Sequence, residues 1–550
     1  MRRLEADFAA QLAAVRPDLS AAYAAALPGA RAAVLGRLWR GLLYEPLPGT
    51  TPNGSARNRA ASGEPGPAPP PIGEPGAVAP AGREASRAVP PPGREAEILL
   101  AGGRRLTGRA RSPHDLGGEP CLWLDGRPHT HPAELMSALD LPGAARLVED
   151  LDNSVASLAL SRAGALAGPH AGFADHEQGV VDGHPYHPGC RNRPGISVAE
   201  QLAYMPEHRP VVLLDLLAVP AGECLVTGSW PAALTDGDRL LLPVHPWQTT
   251  HVLPALGLRP YATGAIPARP LMSVRTLAPL DGGPHVKTAL STRMTSDIRD
   301  ISPGSVRDCV PLSHLLATLS ARRGGRPRIA RYLAGAAARV NGEPSADLSV
   351  LLREPSPGSA IPVAALTRVP AGGPDQWLAA FARLALTDAL GLLALGAALE
   401  AHGQNLLVVL DRGGFPARLV YRDLADIRVS PARLARNGIE APPISARLLS
   451  DDPGVLHAKL FGSLVGTTLG SLISLFGQGD RAAESRLWAV VAAAARDAFD
   501  RLPATPDVRA DREVLFGPQI MVKGHLLARL DGAAPGDTWV GVRNPLAAFA

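Results

Sequence analysis

Hydrophobic and polar positions along the 550 residues change period several times, and each change marks a different kind of element. Over residues 1–44, rich in Ala, Leu and Arg, the helical spacing of apolar positions predicts helices. Between Pro46 and Pro92 that periodicity disappears; Pro, Gly and Ala dominate and the triplet EPG occurs twice. Such a stretch buries too little apolar surface to offset its chain entropy, so a disordered insert is expected at 46–92. Patterning resumes near Glu97, and a helix is expected over 132–155.

Short apolar runs at 211–219, 240–245, 271–277 and 286–292, bounded by Gly, Pro and Asp, then predict strands. Helices are expected again from about residue 330, led by a long amphipathic pattern at 375–401. A two-stranded segment and further helices follow. The uncharged stretch 460–479 approaches membrane-spanning length but is diluted by Gly, Ser, Thr and Gln, so a buried helix pair is expected. Its Gly466 and Gly470 have the spacing of close helix packing.

Helices, then strands, then helices around a hairpin predict an α+β fold with three lobes, at 1–150, 151–330 and 331–550. No internal repeat is present. Neither GxxxxGK[ST] nor a GxGxxG between strand and helix occurs, so the two commonest nucleotide fingerprints are missing.

Composition narrows the function classes. With 55 basic and 51 acidic residues scattered along the chain, and no stacked aromatics among basic runs, nucleic acid is not an expected partner. The four cysteines, Cys121, Cys190, Cys224 and Cys309, form no CxxC pair, which argues against a disulfide scaffold or a zinc-thiolate site. A cytoplasmic setting without membrane association is the expectation, since the first ten residues lack the apolar core of a secretory leader.

One feature of the charge changes the picture further. Of the 55 basic residues only Lys287, Lys459 and Lys523 are lysines. A GC-rich coding bias replaces Lys by Arg wherever a positive charge on a flexible stem suffices. A lysine that persists therefore marks a place where a compact ammonium is needed.

Three segments could carry chemistry. The first is DGHPYHPGCRNRPG, residues 182–195, where His184 and His187 each precede Pro and Arg191 and Arg193 follow. It reads equally as an anion cradle, with donors held out by rigid turns, and as a surface loop fixed by prolines. A metal site is less supported, because no acidic or thiolate ligand stands nearby.

The second is residues 271–299, LMSVRTLAPLDGGPHVKTALSTRMTSDIR. Asp281-Gly282-Gly283 predicts a hairpin turn, with Ser273 and Arg275 on the first strand and Lys287 on the second. A helix is expected next, placing Thr295 and Arg299 on one face. One Lys, two Arg and two hydroxyls suit a polyphosphate and a carboxylate. A solvated basic strand face is the bland alternative, and the scarcity of lysine weighs against it. Lys459 and Lys523 lie in amphipathic contexts, where packing or an ion pair is the first expectation.

The third is residues 400–429, EAHGQNLLVVLDRGGFPARLVYRDLADIRV. A helix should stop at Gly403, and two strands joined at 411–414 should bring Glu400, His402 and Asn405 to the same end as Asp423. Asn and Asp oxygens there suit Mg²⁺ held with nucleotide phosphates, and His402 could bind a carboxylate or move a proton. The alternative is a capped helix with a satisfied core histidine.

In this order the motifs resemble the IucA/IucC family of NRPS-independent siderophore synthetases. The matching segments are HPYHPGCR (184–191), HPWQ (245–248), SVRT (273–276), KTALSTRMTSDIR (287–299) and EAHGQN (400–405) with Arg422-Asp423. The resemblance implies a hand-like fold: a helical thumb-like lobe at 1–150, a fingers-like lobe at 151–330 with the ATP-binding motifs, and a palm-like lobe at 331–550 whose C-terminal part resembles ferric-siderophore reductases of the FhuF type. No cysteine follows Cys309 to hold an iron–sulfur cluster there.

It also implies an ATP- and Mg²⁺-dependent ligase. A carboxylate of citrate or a citrate derivative becomes an acyl-adenylate, and an amine, hydroxylamine or alcohol then forms an amide or ester. By the same likeness His184, Ser273, Arg275, Lys287, Thr295, Asn405 and Asp423 would contact ATP. Arg299 and His402 would bind the carboxylate, with Lys287, Arg299 and His402 catalytic, and Glu400, Asn405 and Asp423 would hold the metal. The family also implies a possible homodimer. Arg191 stands where the family usually has Lys, and the insert has no family counterpart.

Two other classes compete with this one. His-x-x-Asn, a hairpin and Asp also echo a kinase catalytic loop, so a small-molecule phosphotransferase is an alternative. It lacks an Asp between His402 and Asn405 and a Gly-rich loop before Lys287. A carrier that only binds citrate or a ferric siderophore is the third.

Overall fold

The computed structural model describes residues 2–47, 50–53, 95–166, 168, 172–367, 372–532 and 538–550. Of the insert expected at 46–92, residues 48–49 and 54–92 lie outside the described residues, and Thr50–Asn53 forms an edge strand.

The N-terminal segment forms α1 (Arg3–Val15) and α2 (Ser20–Tyr44). An antiparallel sheet follows in chain order: β1 (Thr50–Asn53), β2 (Glu95–Leu100), β3 (Arg105–Arg109), β4 (Leu122–Leu124) and β5 (Arg127–His129). The helix expected over 132–155 is two helices, α3 (Pro132–Leu139) and α4 (Ala144–Gly164). Asp140 at φ 52° ends the first, and Pro142-Gly143 keeps the chain from continuing it. Leu35, Leu38 and Trp39 of α2 share one core with Leu106, Leu122, Leu151 and Leu158, and Leu526 and Leu530 from the far end of the chain join it.

Next come α5 (Phe173–Gln178) and α6 (Val198–Tyr204), then the strands β6 (Val212–Pro220), β7 (Cys224–Gly228), β8 (Thr235–Asp236) and β9 (Arg239–Val244). After α7 (Pro246–His251) follow β10 (Ala262–Pro270), β11 (Thr276–Pro279) and β12 (His285–Thr288), and a separate hairpin of β13 (Leu290–Met294) and β14 (Asp297–Arg299). Beyond α8 (Pro303–Arg322) and β15 (Arg328–Ile329), β16 (Tyr332–Val340) and β17 (Glu343–Arg353) return to the sheet. Its nine antiparallel strands run β7-β16-β17-β12-β11-β10-β6-β9-β8. Strands thus extend past residue 330, where helices were expected. The Ala-rich sequence of β16 reads as helix by propensity, but it packs in a sheet core with Leu348, Val350 and Leu352.

The last lobe contains β18 (Ala360–Pro362), α9 (Pro374–Leu395), β19 (Ala397–Ala398), the hairpin β20 (Leu406–Leu410) and β21 (Pro416–Tyr421), β22 (Arg428–Val429) and α10 (Pro431–Arg436). The helix stops at Gly396, φ 117°, well before Gly403. Residues Pro453–Gly477 form one buried helix, not a pair: α11 (Pro453–Phe461) passes through a π-helical stretch into α12 (Gly470–Gly477). The chain closes with α13 (Arg481–Asp500), α14 (Pro506–Leu515), β23 (Gln519–Lys523), α15 (His525–Asp531) and β24 (Trp539–Arg543).

Candidate active site

The β11–β12 hairpin forms as expected, with Thr276 opposite Lys287. Lys287 is 4% exposed, and its Nζ lies 2.7 and 2.9 Å from the two oxygens of Asp423 and 3.3 Å from the Tyr332 hydroxyl. Burial lowers its pKa to about 8, against the pull of the Asp423 charge. Burial equally opposes ionisation of Asp423, but the charges of Lys287, Arg353 and Arg275 outweigh it and hold that carboxyl well below the carboxylate range. The pair joins the nine-stranded sheet to the end of the β20–β21 hairpin.

Ser273 and Arg275 are not on a strand; they flank Val274 in the turn before β11. Val274 has φ 67°, Thr295 62° and Asp423 63°. For Val and Thr, whose branched Cβ crowds the left-handed region, this is strain, and both lie at this site beside Asp423. Arg275 donates to the carbonyls of Arg299, at 2.7 Å, and Asp300, tying this turn to the end of β14. Burial and the neighbouring Arg299 charge lower its pKa to about 10.

The helix expected around Thr295 and Arg299 is absent. Met294 pairs with Asp297 across a two-residue turn, and Thr295 N donates to Asn192 O at 2.9 Å. Thr295 and Arg299 therefore belong to a turn and a strand, docked on the His-Pro loop.

That loop is held by its own imidazoles. Nδ1 of His184 accepts from Tyr186 N at 3.2 Å and Nδ1 of His187 from Gly189 N at 2.9 Å; His402 does the same with Gln404 N at 3.3 Å. A ring nitrogen that accepts from a backbone N–H carries no proton, so the neutral ring bears it on Nε2. Burial first, and nearby cations second, keep His184 and His187 below their ordinary pKa. At His402 burial also lowers the pKa, with Glu400 opposing it. His187 spends its Nε2 on Ser296 Oγ. His184 and His402 keep an Nε2–H for a ligand.

Arg191 and Arg193, for which an anion cradle and a loop fixed by prolines were equal readings, both turn to partners within the protein. Arg191 grips the carbonyls of Val180 and Val181, and Arg193 pairs with buried Glu207 at 2.8 Å. The arginine at 191 thus has a structural place.

The remaining two lysines meet at Glu400. Lys523 Nζ lies 2.6 Å from Glu400 Oε1 and 3.8 Å from Asp426; Lys459, 1% exposed, lies 2.7 Å from Asp426 and 3.7 Å from Glu400. His402 Nε2 stands 3.7 Å from Glu400 Oε2. Asn405 donates to the Glu400 carbonyl at 3.3 Å. Sequence reasoning expected packing or an ion pair for both lysines, and both make ion pairs; it did not bring them to this site, although the scarcity that singled out Lys287 applied to them too. It also missed Tyr332, His525, whose ring lies 4.7 Å from His184 and 4.8 Å from His187, and Arg353. Arg353 is 2% exposed beside Lys287 and Asp423, and its Nε has no hydrogen-bond partner among the described residues. Arg422 is a buttress, 2.7 Å from Glu177, whose other oxygen accepts from Met272 N at 2.9 Å.

Among the described residues no three His, Cys, Asp or Glu side chains are arranged to hold a metal by themselves. Glu400, read from the sequence as a metal ligand, lies between two ammonium groups. The oxygens of Asp423 and Asn405 fit Mg²⁺ only with phosphate oxygens completing its shell, which is how this ion is commonly bound.

Fold and site together define an α+β protein with a cationic site where the nine-stranded sheet meets the β20–β21 hairpin. The profile of the IucA / IucC family matches residues 172–368, and that of the ferric iron reductase FhuF-like transporter matches 375–537. The likeness to the IucA / IucC family thus lies in residues 172–368. Staphyloferrin A synthase of Staphylococcus aureus (strain NCTC 8325 / PS 47) is 23% identical over 422 residues, 67% of this chain and 72% of the relative. D-ornithine–citrate ligase of the same organism is 22% identical over 458 residues, covering 67% and 69%. Petrobactin biosynthesis protein AsbB from Bacillus anthracis str. Sterne superposes with TM-score 0.75 over 96% of this chain and 98% of its own, at 16% identity. ATP-bound aerobactin synthetase IucA from a hypervirulent pathotype of Klebsiella pneumoniae gives 0.68 over 82% and 95%, at 22% identity. At these identities the two structures speak for the fold.

Proposed function

We propose that the protein uses ATP to adenylate a carboxylate of citrate or a citrate derivative, releasing pyrophosphate, and condenses the acyl group with an amine, hydroxylamine or alcohol. The observation that carries this is the meeting of Lys287, Arg275 and Arg299 with two Nε2–H imidazoles and a second lysine pair at one inter-lobe site. The ligase named for citrate and the ATP-bound synthetase among its relatives support the same reading.

A carboxylate attacking the α-phosphorus approaches an anion, and the transition state concentrates charge on the phosphoryl oxygens. Lys287 supplies a fixed ammonium there, held by Asp423 and Tyr332 so that little reorganisation is needed. Arg275, Ser273 and Thr295 bind further phosphate oxygens. Arg299, His402 and Lys523 orient the polycarboxylate, with His184 donating from the opposite loop. Mg²⁺, held by Asp423 and Asn405 with the phosphates, would neutralise charge. Glu400 holds Lys523 and Lys459 in place.

The test is exchange of labelled pyrophosphate into ATP with a panel of polycarboxylates. Exchange that requires citrate or a near relative is expected. ADP as product would mean a phosphotransferase, and absence of exchange with every acid would leave a binding protein.

A further inference from the structure

An amine acceptor is an ammonium ion at neutral pH, and a site lined by cations must offer it a carboxylate. Nearly every carboxylate around the site already has a cation. Asp423 has Lys287, Glu400 has Lys523, Asp426 has Lys459, Glu207 has Arg193, Glu177 has Arg422, and Asp150 has Arg293 and Arg529. Asp297 differs. Its carboxylate is half-buried and has no hydrogen-bond or ion-pair partner among the described residues, although it opens the strand that ends in Arg299.

Position on that strand gives the unpaired acid its direction. Side chains two apart on a strand share a face, so Asp297 and Arg299 point the same way, while Ile298, 58% exposed, points to the other. Asp300 also lacks a side-chain partner among the described residues but falls on the parity of Ile298. The charged groups facing Asp297 are Arg299 on its own strand, Lys523 from β23, Arg529 from α15, and the carboxylates of Asp426 and Asp300. None of the cations closes to within ion-pair distance. An acid left open beside the residue that would hold the acyl donor has the geometry of an acceptor subsite.

We propose that Asp297 binds the ammonium group of a primary-amine acceptor next to the carboxylate held by Arg299 and removes its first proton. The inference rests on the acyl-adenylate reading above. Asp297 takes one proton from R–NH₃⁺; the freed lone pair attacks the acyl carbon, the C–N bond forms, the bond from carbon to the AMP oxygen breaks, and AMP leaves with that electron pair. The second proton leaves the nitrogen to solvent. Burial raises the pKa of this carboxyl, which brings it nearer to that of a useful base.

The experiment compares wild type with Asp297→Asn and Asp297→Glu in three assays: citrate-dependent pyrophosphate exchange, hydroxamate formation with hydroxylamine, and amide formation with a panel of primary diamines and amino acids. Hydroxylamine is uncharged near neutral pH and needs no base to become nucleophilic. Asp297→Asn should keep exchange and hydroxamate formation, lose amide formation about 100-fold, and recover part of it at higher pH; Asp297→Glu should restore part of it at neutral pH. Wild-type amide formation by Asp297→Asn, equal losses with hydroxylamine and amines, or loss of exchange in a folded variant would each overturn the assignment. So would a wild type that accepts only alcohols. Failure of the wild type to exchange pyrophosphate would instead strike the underlying reading.

Discussion

At the scale of single residues, the lysines carry the account. Lys287 was legible because scarcity and motif agreed on it. Lys459 and Lys523 passed the same scarcity filter but sit in ordinary amphipathic sequence, and only tertiary contact brings them to Glu400. The planar fork of Arg cannot meet both Asp423 oxygens and Tyr332 while presenting a point charge to phosphate. Lys287→Arg should therefore abolish pyrophosphate exchange with thermal unfolding unchanged; turnover near wild type would show that the ammonium is not required. Titration adds a second expectation. Since burial lowers the Lys287 pKa to about 8, the ammonium is intact below that pH and lost above it. ATP affinity, measured by calorimetry across pH, should be flat below about 8 and weaken as pH rises through it.

Elements were legible where period and punctuation agreed and misread where two periods fit the same residues. The β20–β21 hairpin and the β11–β12 hairpin follow their turn residues. Thr295 and Arg299 are spaced as a helix face would be, yet the chain makes a strained turn, because His187 and Asn192 seize Ser296 and Thr295 from the neighbouring loop. Such non-local contacts leave no local signal. The small-residue spacing at Gly466 and Gly470 did report close packing, Gly466 against Val522 of β23 and Gly470 against His114 from the N-terminal part of the chain. A Cβ on Gly470 would stand 2.5 Å from His114 Nδ1, while that nitrogen bonds Gly466 O at 3.1 Å. Gly470→Ala should cost about 1–3 kcal/mol in denaturant unfolding by overpacking this contact. An unaltered midpoint would show that the helix and the thumb-like lobe are not tightly coupled there.

At the scale of the whole molecule, the α+β class was legible from patterning, while the way the chain closes on itself was not. Leu526 and Leu530 complete the core of the first lobe, and Lys523, two residues before α15, reaches the site from the last. Lys459 lies between Asp426 and Glu400 with almost no exposure, so its charge is structural as well as functional. Replacing it by Met leaves the buried carboxylate of Glu400 and the part-exposed one of Asp426 with less compensation, and a loss of about 3 kcal/mol is expected in equilibrium unfolding. The central claim is that this assembly joins a carboxylate to AMP before an acceptor takes the acyl group. Citrate labelled with heavy oxygen in its carboxylates, incubated with ATP, Mg²⁺ and the acceptor, decides it by mass spectrometry of the nucleotide. The account predicts AMP carrying one heavy oxygen for each amide or ester formed; unlabelled AMP, or ADP with the label in phosphate, would contradict it.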